Sequence, residues 1–347
     1  MNKIRYSEKN YLCEYDLSLE FFNQLGIKIN DVTPLRKVFV LSTDDGRKIL
    51  KKVNYDIDRI NFISDSLEYV KKHYKNIISY NMLKNSHNYL EWNNDLYVVM
   101  DILDGREAAF SNPVEITLCA KNIALMHNAS KGIREYLNNK YTTDVLDISL
   151  IDKYQSAYEK LEKVKQLVSV YEYKNEFDEL FMESIDKYLD EIKSLIDDLK
   201  NSSYMHLRTL EDKITLCHND LAYHNFLIKN QDVSIIDFDF MTIDLRINDL
   251  ADFVLKAIKN AAFDMDKMTM AIDSYEEIAA LDKEEKNLIP YILRFPKDFY
   301  TITMDYYCKK KKWDYEVFLN RLKGKLNNEI YRFELLDILN EKFNSWN

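Results

Sequence analysis

Glycine and proline are scarce in this chain, 5 and 4 residues in 347, and neither occurs between Gly132 and Pro290. The scarcity excludes the glycine fingerprints of nucleotide sites, since neither G-x-G-x-x-G nor G-x-x-x-x-G-K-[ST] is present. Turns in that interval fall to Asn and Asp, which tolerate left-handed backbone better than most other residues with a side chain. Cysteine is sparse as well. Cys13, Cys119, Cys217 and Cys308 are dispersed with no C-x-x-C spacing, so neither a zinc site nor a disulfide framework is expected, and buried thiols are. No window approaches the roughly 18 consecutive apolar residues of a membrane span. The stretch Met1 to Asn10 holds no apolar segment of the signal-peptide kind. The expectation is a protein made and kept inside a cell, in the cytoplasm, with no membrane partner.

Hydrophobic residues at 46% beside charged residues at 31% describe a globular chain, long enough at 347 residues for two lobes. A net charge of -10 argues against nucleic acid as a partner. The run Lys309-Lys310-Lys311-Lys312 is a local basic patch and reads as a solvated helix end.

Residues 14 to 25 read as a short helix ended by Gly26. Val38 to Leu41 and Lys48 to Lys52 flank Asp44-Asp45-Gly46-Arg47, a hairpin signature. Ile60, Ile63, Leu67 and Val70 recur at helical spacing between Asp56 and His73. Leu96 to Met100 reads as a strand, followed by a polar connector to Gly105. From Val114 the pattern is mainly helical, over 114 to 129, 148 to 170 and 174 to 200, and again from Asp249 onward with breaks near Pro290 and Pro296. A cluster of short strands between 214 and 240 interrupts it. The fold class is α+β, with a small sheet-plus-helix lobe over 1 to 103 and a large helical lobe over 104 to 347.

The strand cluster carries the chemistry. Cys217-His218-Asn219-Asp220-Leu221-Ala222-Tyr223-His224-Asn225 has the form H-x-D-x-x-x-x-N, and Asp237-Phe238-Asp239 follows beyond the hairpin-like run Phe226 to Ile236. In the protein-kinase pattern the Asp of such a loop takes or orients the acceptor hydroxyl proton, the Asn binds a metal ion, and the later Asp holds metal against nucleotide phosphates. The chemistry requires these types: charge spreads over the oxygens of a transferring phosphoryl, and Mg²⁺ prefers hard oxygen ligands such as carboxylate and amide oxygen. His, Asn and Asp also make ordinary turns, and H-x-D alone arises by chance. Turn formation does not account for Asp237 at a strand end, nor for Asp249-Leu250-Ala251 at a helix start.

A phosphotransfer loop calls for a strand lysine for the nucleotide phosphates. Ile49-Leu50-Lys51 stands where the V-A-I-K strand would, making Lys51 the choice and Lys52 its rival; the alternative is that both are solvated edge lysines. For the carboxylate that holds the lysine, the 56 to 73 helix offers Glu68, with Asp65 close enough to remain open. Met100, Asp101 and Leu103 would flank the base as the hinge. His218 reads as structural support for the loop, and His127, on an apolar helix face, as a hydrogen-bonded core histidine.

The loop to Asn225, the segment Ile236-Asp237-Phe238-Asp239 and Asp249-Leu250-Ala251 resemble the aminoglycoside phosphotransferase and choline kinase superfamily. Within it the chain is similar to spore coat kinase-like proteins of the CotS type. That likeness rests on Gly46 with Ile49-Leu50-Lys51, Asp104-Gly105-Arg106-Glu107, Ala124 to Ser130, and Phe295-Pro296-Lys297-Asp298-Phe299 before Tyr306-Tyr307. The resemblance implies a bilobal protein kinase-like fold, ATP or GTP with Mg²⁺, and transfer to a hydroxyl of a small molecule. Asp220 would be the catalytic base, Asn225 and Asp237 the metal ligands, Lys51 the phosphate-binding lysine and Asp249 the brace of the loop. Asp239 replaces the Gly of D-F-G, as acidic residues do in small-molecule kinases, and would add a metal contact. Other spore coat proteins are implied as partners, with the coat as an alternative location. The competing expectations are a coat component that keeps the fold without turnover, and an antibiotic-modifying enzyme.

Overall fold

The computed structural model describes residues 17–344. Met1 to Asn10, Cys13 and the first residues of the helix expected from 14 to 25 lie outside them. The chain groups into two units that alternate along the sequence. One runs to Ala108 and takes in His224–Met241, and the other comprises Ala109–Tyr223 and the chain from Thr242. The sequence reading places its division between Leu103 and Asp104.

In the first unit, helix α1 (Leu19–Leu25) opens on a Ser18 cap, whose side chain accepts from the Phe21 N–H, and ends at Gly26 in the left-handed region (φ 68°). Five strands follow: β1 (Ile29–Leu35), β2 (Val38–Thr43), β3 (Gly46–Val53), β4 (Leu90–Trp92) and β5 (Asp95–Asp101). They form an antiparallel sheet in the order β1-β2-β3-β5-β4. Pro34, which has no N–H to give to a ladder, is accommodated because β1 is an edge strand. The expected hairpin joins β2 to β3, with Gly46 at φ 103°. Alternation along β3 buries Leu50 among Phe21, Phe39, Leu41, Tyr97 and Val99, so that Lys51, in register with Val98, projects from the other face.

Helix α2 (Ile57–Lys71) starts at Asp56, whose carboxylate accepts from the Arg59 N–H, a cap worth about 1 kcal/mol. Its buried stripe contains Ile60, Ile63, Leu67 and Val70 at the expected spacing. The short strand β6 (Arg106–Glu107) pairs with Phe226–Lys229, which turns at Asn230 (φ 59°) into Asp232–Ile235. The N–H of Ile235 donates to the Asn76 carbonyl, tying this late hairpin to the N-terminal part of the unit.

The second unit is built mainly of helices: α3 (Pro113–Ala129), α4 (Ile133–Asn138), α5 (Leu150–Ser169), α6 (Glu176–Asn201), α7 (Tyr204–Leu207), α8 (Arg246–Ile258), α9 (Met265–Glu276), α10 (Lys283–Arg294), α11 (Lys297–Tyr307) and α12 (Tyr315–Asn344). The strand β7 (Ile214–Cys217) pairs antiparallel with Thr242–Leu245 and leads directly into the loop at His218. Against expectation, α10 runs through Pro290 and the break comes only at Phe295-Pro296. A capping box between Asp282 and Glu285, with Leu288, Ile289 and Leu293 buried, offsets the hydrogen bond that Pro290 cannot make. Cys119 and Cys217 are buried, and burial pushes both thiols up; Cys308 is exposed, which corrects the expectation for that residue, because it caps α11 at the surface. The four lysines after it are exposed just beyond the helix end.

Candidate active site

In the first unit Lys51 Nζ stands 2.6 Å from Asp237 Oδ1 and 2.8 Å from Asp239 Oδ2. Burial opposes the charge on Lys51, and Asp239 and Asp237 outweigh that cost, holding the ammonium above its ordinary range. Lys52, on the opposite face of β3, pairs with Asp95. Asp237 adopts φ 67°, a left-handed conformation in a stretch without glycine, and the N–H of the preceding Ile236 donates to the Asn225 carbonyl. Asn225 itself is buried and closes a single-turn 3-10 helix from Tyr223.

The carboxylates beside Lys51 therefore come from the 237–239 segment. Glu68, the expected partner, is exposed on α2, because one step beyond the buried Leu67 turns the side chain about 100° away from the packed stripe. The hinge residues lie at the end of β5 and after it. Met100 is buried opposite Ile49, Asp101 is exposed and pairs with Lys48, and Leu103 is half-buried in the connector.

Three residues missed by sequence reasoning hold the 237–241 segment. Tyr55 donates its hydroxyl to Asp239 Oδ1 at 3.1 Å, and its oxygen lies 2.9 Å from that of Tyr80. Burial pushes the Tyr55 phenol far up, with Tyr80 and Asp239 adding to it, so it stays a hydrogen-bond donor. Arg59 donates to the carbonyls of Asp239 and Met241. No motif marks these residues. The only sequence signal of Tyr55 and Arg59 is a position at the start of the helix that follows the Lys51 strand, and Tyr80, beyond that helix, carries none.

In the second unit the loop hangs on one buried carboxylate. Asp249, in the first turn of α8 and fully buried, accepts from the backbone N–H of His218 at 2.9 Å and of Asn219 at 2.8 Å. His127 Nε2 lies 3.1 Å from the same carboxylate, and its Nδ1 is 2.8 Å from the Tyr275 hydroxyl. A carboxylate only accepts, so Nε2–H is the donor. Asn219 takes φ 62° and donates its amide to Thr242 Oγ1. His218 is fully buried, and its Nδ1 accepts from the Asp220 N–H at 3.2 Å.

Asp220 is half-buried, and Lys256 Nζ donates to its Oδ1 at 2.7 Å. Burial favours the neutral acid, but the hydrogen bond and charge of Lys256 outweigh it and hold the carboxyl below the usual range. Lys256 also pairs with Asp252 Oδ2 at 2.7 Å. Sequence reasoning missed Lys256 and Asp252, although a helical count from Asp249 places them three and seven residues on, along the same side of α8.

Mg²⁺ in phosphate-transfer sites is commonly held by one or two carboxylates together with phosphates and water. Two carboxylates beside a single ammonium, with the Asn225 amide in the same unit, fit that donor chemistry. Among the described residues no group of three or more His, Cys, Asp and Glu side chains clusters as for an all-protein metal cage.

The model of the family described as "Spore coat putative kinase YutH" matches residues 21–337. Spore coat protein S of Bacillus subtilis is 24% identical over 323 residues, covering 89% of this chain and 88% of that protein. An aminoglycoside phosphotransferase from Alicyclobacillus acidocaldarius shares the fold at a TM-score of 0.76 and 16% identity, over 99% of this chain and 98% of its own. The amicoumacin kinase hAmiN, solved with AMP-PNP, Ca²⁺ and Ami, aligns at a TM-score of 0.63 and 16% identity over 95% and 96%. The fold is kinase-like, of the kind found in small-molecule phosphotransferases. No helix among the described residues is long and apolar enough to cross a membrane.

Proposed function

We propose, for a chain that belongs to the spore coat YutH kinase family, that it transfers the γ-phosphoryl group of ATP or GTP to a hydroxyl of a small molecule. The observation that carries the reading is Lys51 of β3 bridging Asp237 and Asp239 of the 237–241 segment, an ammonium and two carboxylates that apolar packing does not require. Lys51 binds phosphate oxygens. Asp237 and Asn225, with Asp239 beside them, would hold Mg²⁺, which when bound would neutralise charge on the phosphoryl oxygens. Asp220 accepts the proton of the acceptor hydroxyl as its oxygen bonds to the γ-phosphorus, while the bond to the β-phosphate bridging oxygen breaks and the nucleoside diphosphate leaves.

Asp249 positions Asp220 by holding the backbone of the two preceding residues. Its burial gives the loop one geometry without glycine. The acidic partners of Lys51 both come from the segment that would hold the metal, so Asp237 and Asp239 would couple nucleotide binding to metal binding.

The protein's place is in the spore coat or in the cytoplasm of the cell that builds it, on the strength of the family and of the likeness to Spore coat protein S. Other coat proteins are its macromolecular partners there. A screen of hydroxylated metabolites coupled to nucleotide consumption tests the enzymatic reading. Acceptor-dependent turnover by the native chain, absent from Asp220→Asn, supports it. Nucleotide consumption that no acceptor stimulates and that Asp220→Asn retains contradicts it.

A further inference from the structure

The surroundings of Asp220 within the helical unit are rich in ammonium groups. Lys256 bridges Asp220 and Asp252, and Lys297, at the start of α11, stands 2.5 Å from the other oxygen of Asp252. The chain of charge continues through Asp298, which pairs with Lys259 at 3.4 Å and Lys325 at 3.1 Å. Four lysines thus face three carboxylates, Asp220 among them. Lys297, Lys259 and Lys325 also line one surface concavity, together with Arg332 and the carboxylates of Asp298 and Glu329. Burial, with the neighbouring Lys259 and Arg321 adding to it, pulls the Lys325 ammonium below its ordinary range despite Asp298, whereas Asp252, Asp220 and Asp298 outweigh burial at Lys297 and hold that ammonium above its own.

A second observation comes from α8. Asn248 is buried, 8% exposed, and neither its amide nitrogen nor its amide oxygen has a hydrogen-bond partner. A buried amide without partners is costly and uncommon in a native structure. Asn248, Asp252, Lys256 and Lys259 recur at four, four and three residues, so they share one face of the helix. That face carries a polar stripe with an unused donor and acceptor at one end and the Asp220 ion pair at the other.

We infer that the acceptor is an alcohol carrying an anionic group, a polyol with a carboxylate or phosphate, whose charge is met by Lys297 beside the Lys256–Asp220 pair and whose further hydroxyls use the Asn248 amide. The inference rests on Asp220 as the residue that meets the acceptor hydroxyl. It separates this chain from an acceptor chemistry of aminoglycoside type, in which protonated amines would have to approach ammonium groups already in place. Lys256 is a positioning residue in this account: it orients Asp220 and keeps it charged. Lys297, half-exposed, is the group that contacts the acceptor's anion.

The test is thermal denaturation of the full chain without nucleotide, in the presence of D-glucuronate, glycerol 3-phosphate, glucose, choline or kanamycin. The first two separate a carboxylate from a phosphate as the recognised group. Stabilisation by at least one of them, with none from choline or kanamycin, is expected. In Lys297→Glu, with the ligand shift read against that variant's own melting temperature in plain buffer, the apparent affinity should fall about tenfold or more, as reversal of one nearby charge implies. Asn248→Ala should melt no lower than the native chain, since it removes an unsatisfied amide, yet bind the same ligand more weakly. The inference is overturned if a cationic alcohol stabilises where the anionic ones do not, if neither anionic alcohol shifts the transition, or if Lys297→Glu leaves the shift intact. These readings need no nucleotide. Failure of the kinase reading, seen as no response to ATP or GTP, is therefore distinguishable from failure of the acceptor assignment.

Discussion

Lys256 Nζ donates to Asp220 Oδ1 at 2.7 Å, and this contact decides the charge on the proposed catalytic base. Burial alone would favour the neutral acid; the ammonium reverses that preference. A carboxyl whose folded value is depressed keeps its charge above that value and loses it as the pH falls through it. The acid limb of kcat/KM in the native chain should therefore lie below the ordinary Asp value of about 3.9. In Lys256→Met burial loses its main opponent, and the limb should move up from its position in the native chain. A pH profile of acceptor-dependent turnover checks this, and identical limbs in the two proteins would remove Lys256 from the account.

Replacing Asp220 by Asn keeps the shape of the loop and removes the proton acceptor. Turnover should fall about 10²- to 10⁴-fold, the usual contribution of a positioned general base. The nucleotide-induced rise in melting temperature should persist, because Lys51, Asp237 and Asp239 are untouched. Single-turnover phosphoryl transfer and thermal shift, measured on the same preparation, separate the two effects.

Asp249→Ala should be destabilising by about 3 kcal/mol or more. It strands the backbone donors of His218 and Asn219 and the ring N–H of His127 in a fully buried place. Denaturant unfolding followed by circular dichroism of the helical unit measures it. His127→Gln, which removes one donor and leaves the two backbone contacts, should cost less.

The parts legible in the sequence were those set by local rules. The Asp56 cap and the 3.6-residue spacing of Ile60, Ile63, Leu67 and Val70 delimited α2 to within two residues of its observed ends. The scarcity of glycine pointed to Asn and Asp as turn formers, and Asn219, Asn230 and Asp237 do occupy the left-handed region, but so do Ala262 and Phe263 in the same glycine-free interval. The lysine partner was not legible, because it depends on which strand ends converge: Lys51 and Asp237 are 186 residues apart. The kinase pattern directed attention to the helix carboxylate Glu68, while the tertiary arrangement places Asp237 and Asp239 at the ammonium. Pro290 was read as a break because proline lacks an N–H, but packing of Leu288, Ile289 and Leu293 overrides that local loss.

Nucleotide binding is the claim on which the rest depends, and the melting temperature of the full chain in Mg²⁺ with ATP or GTP tests it most directly. A ligand that binds only the folded state stabilises it by mass action, about 2.7 kcal/mol at a hundredfold excess over Kd. The account predicts a rise that requires both metal and nucleotide, and that Lys51→Met and Asp237→Asn each abolish while remaining folded. An unchanged melting temperature at millimolar Mg²⁺ with either nucleotide, or an equal rise in the two variants, would contradict it.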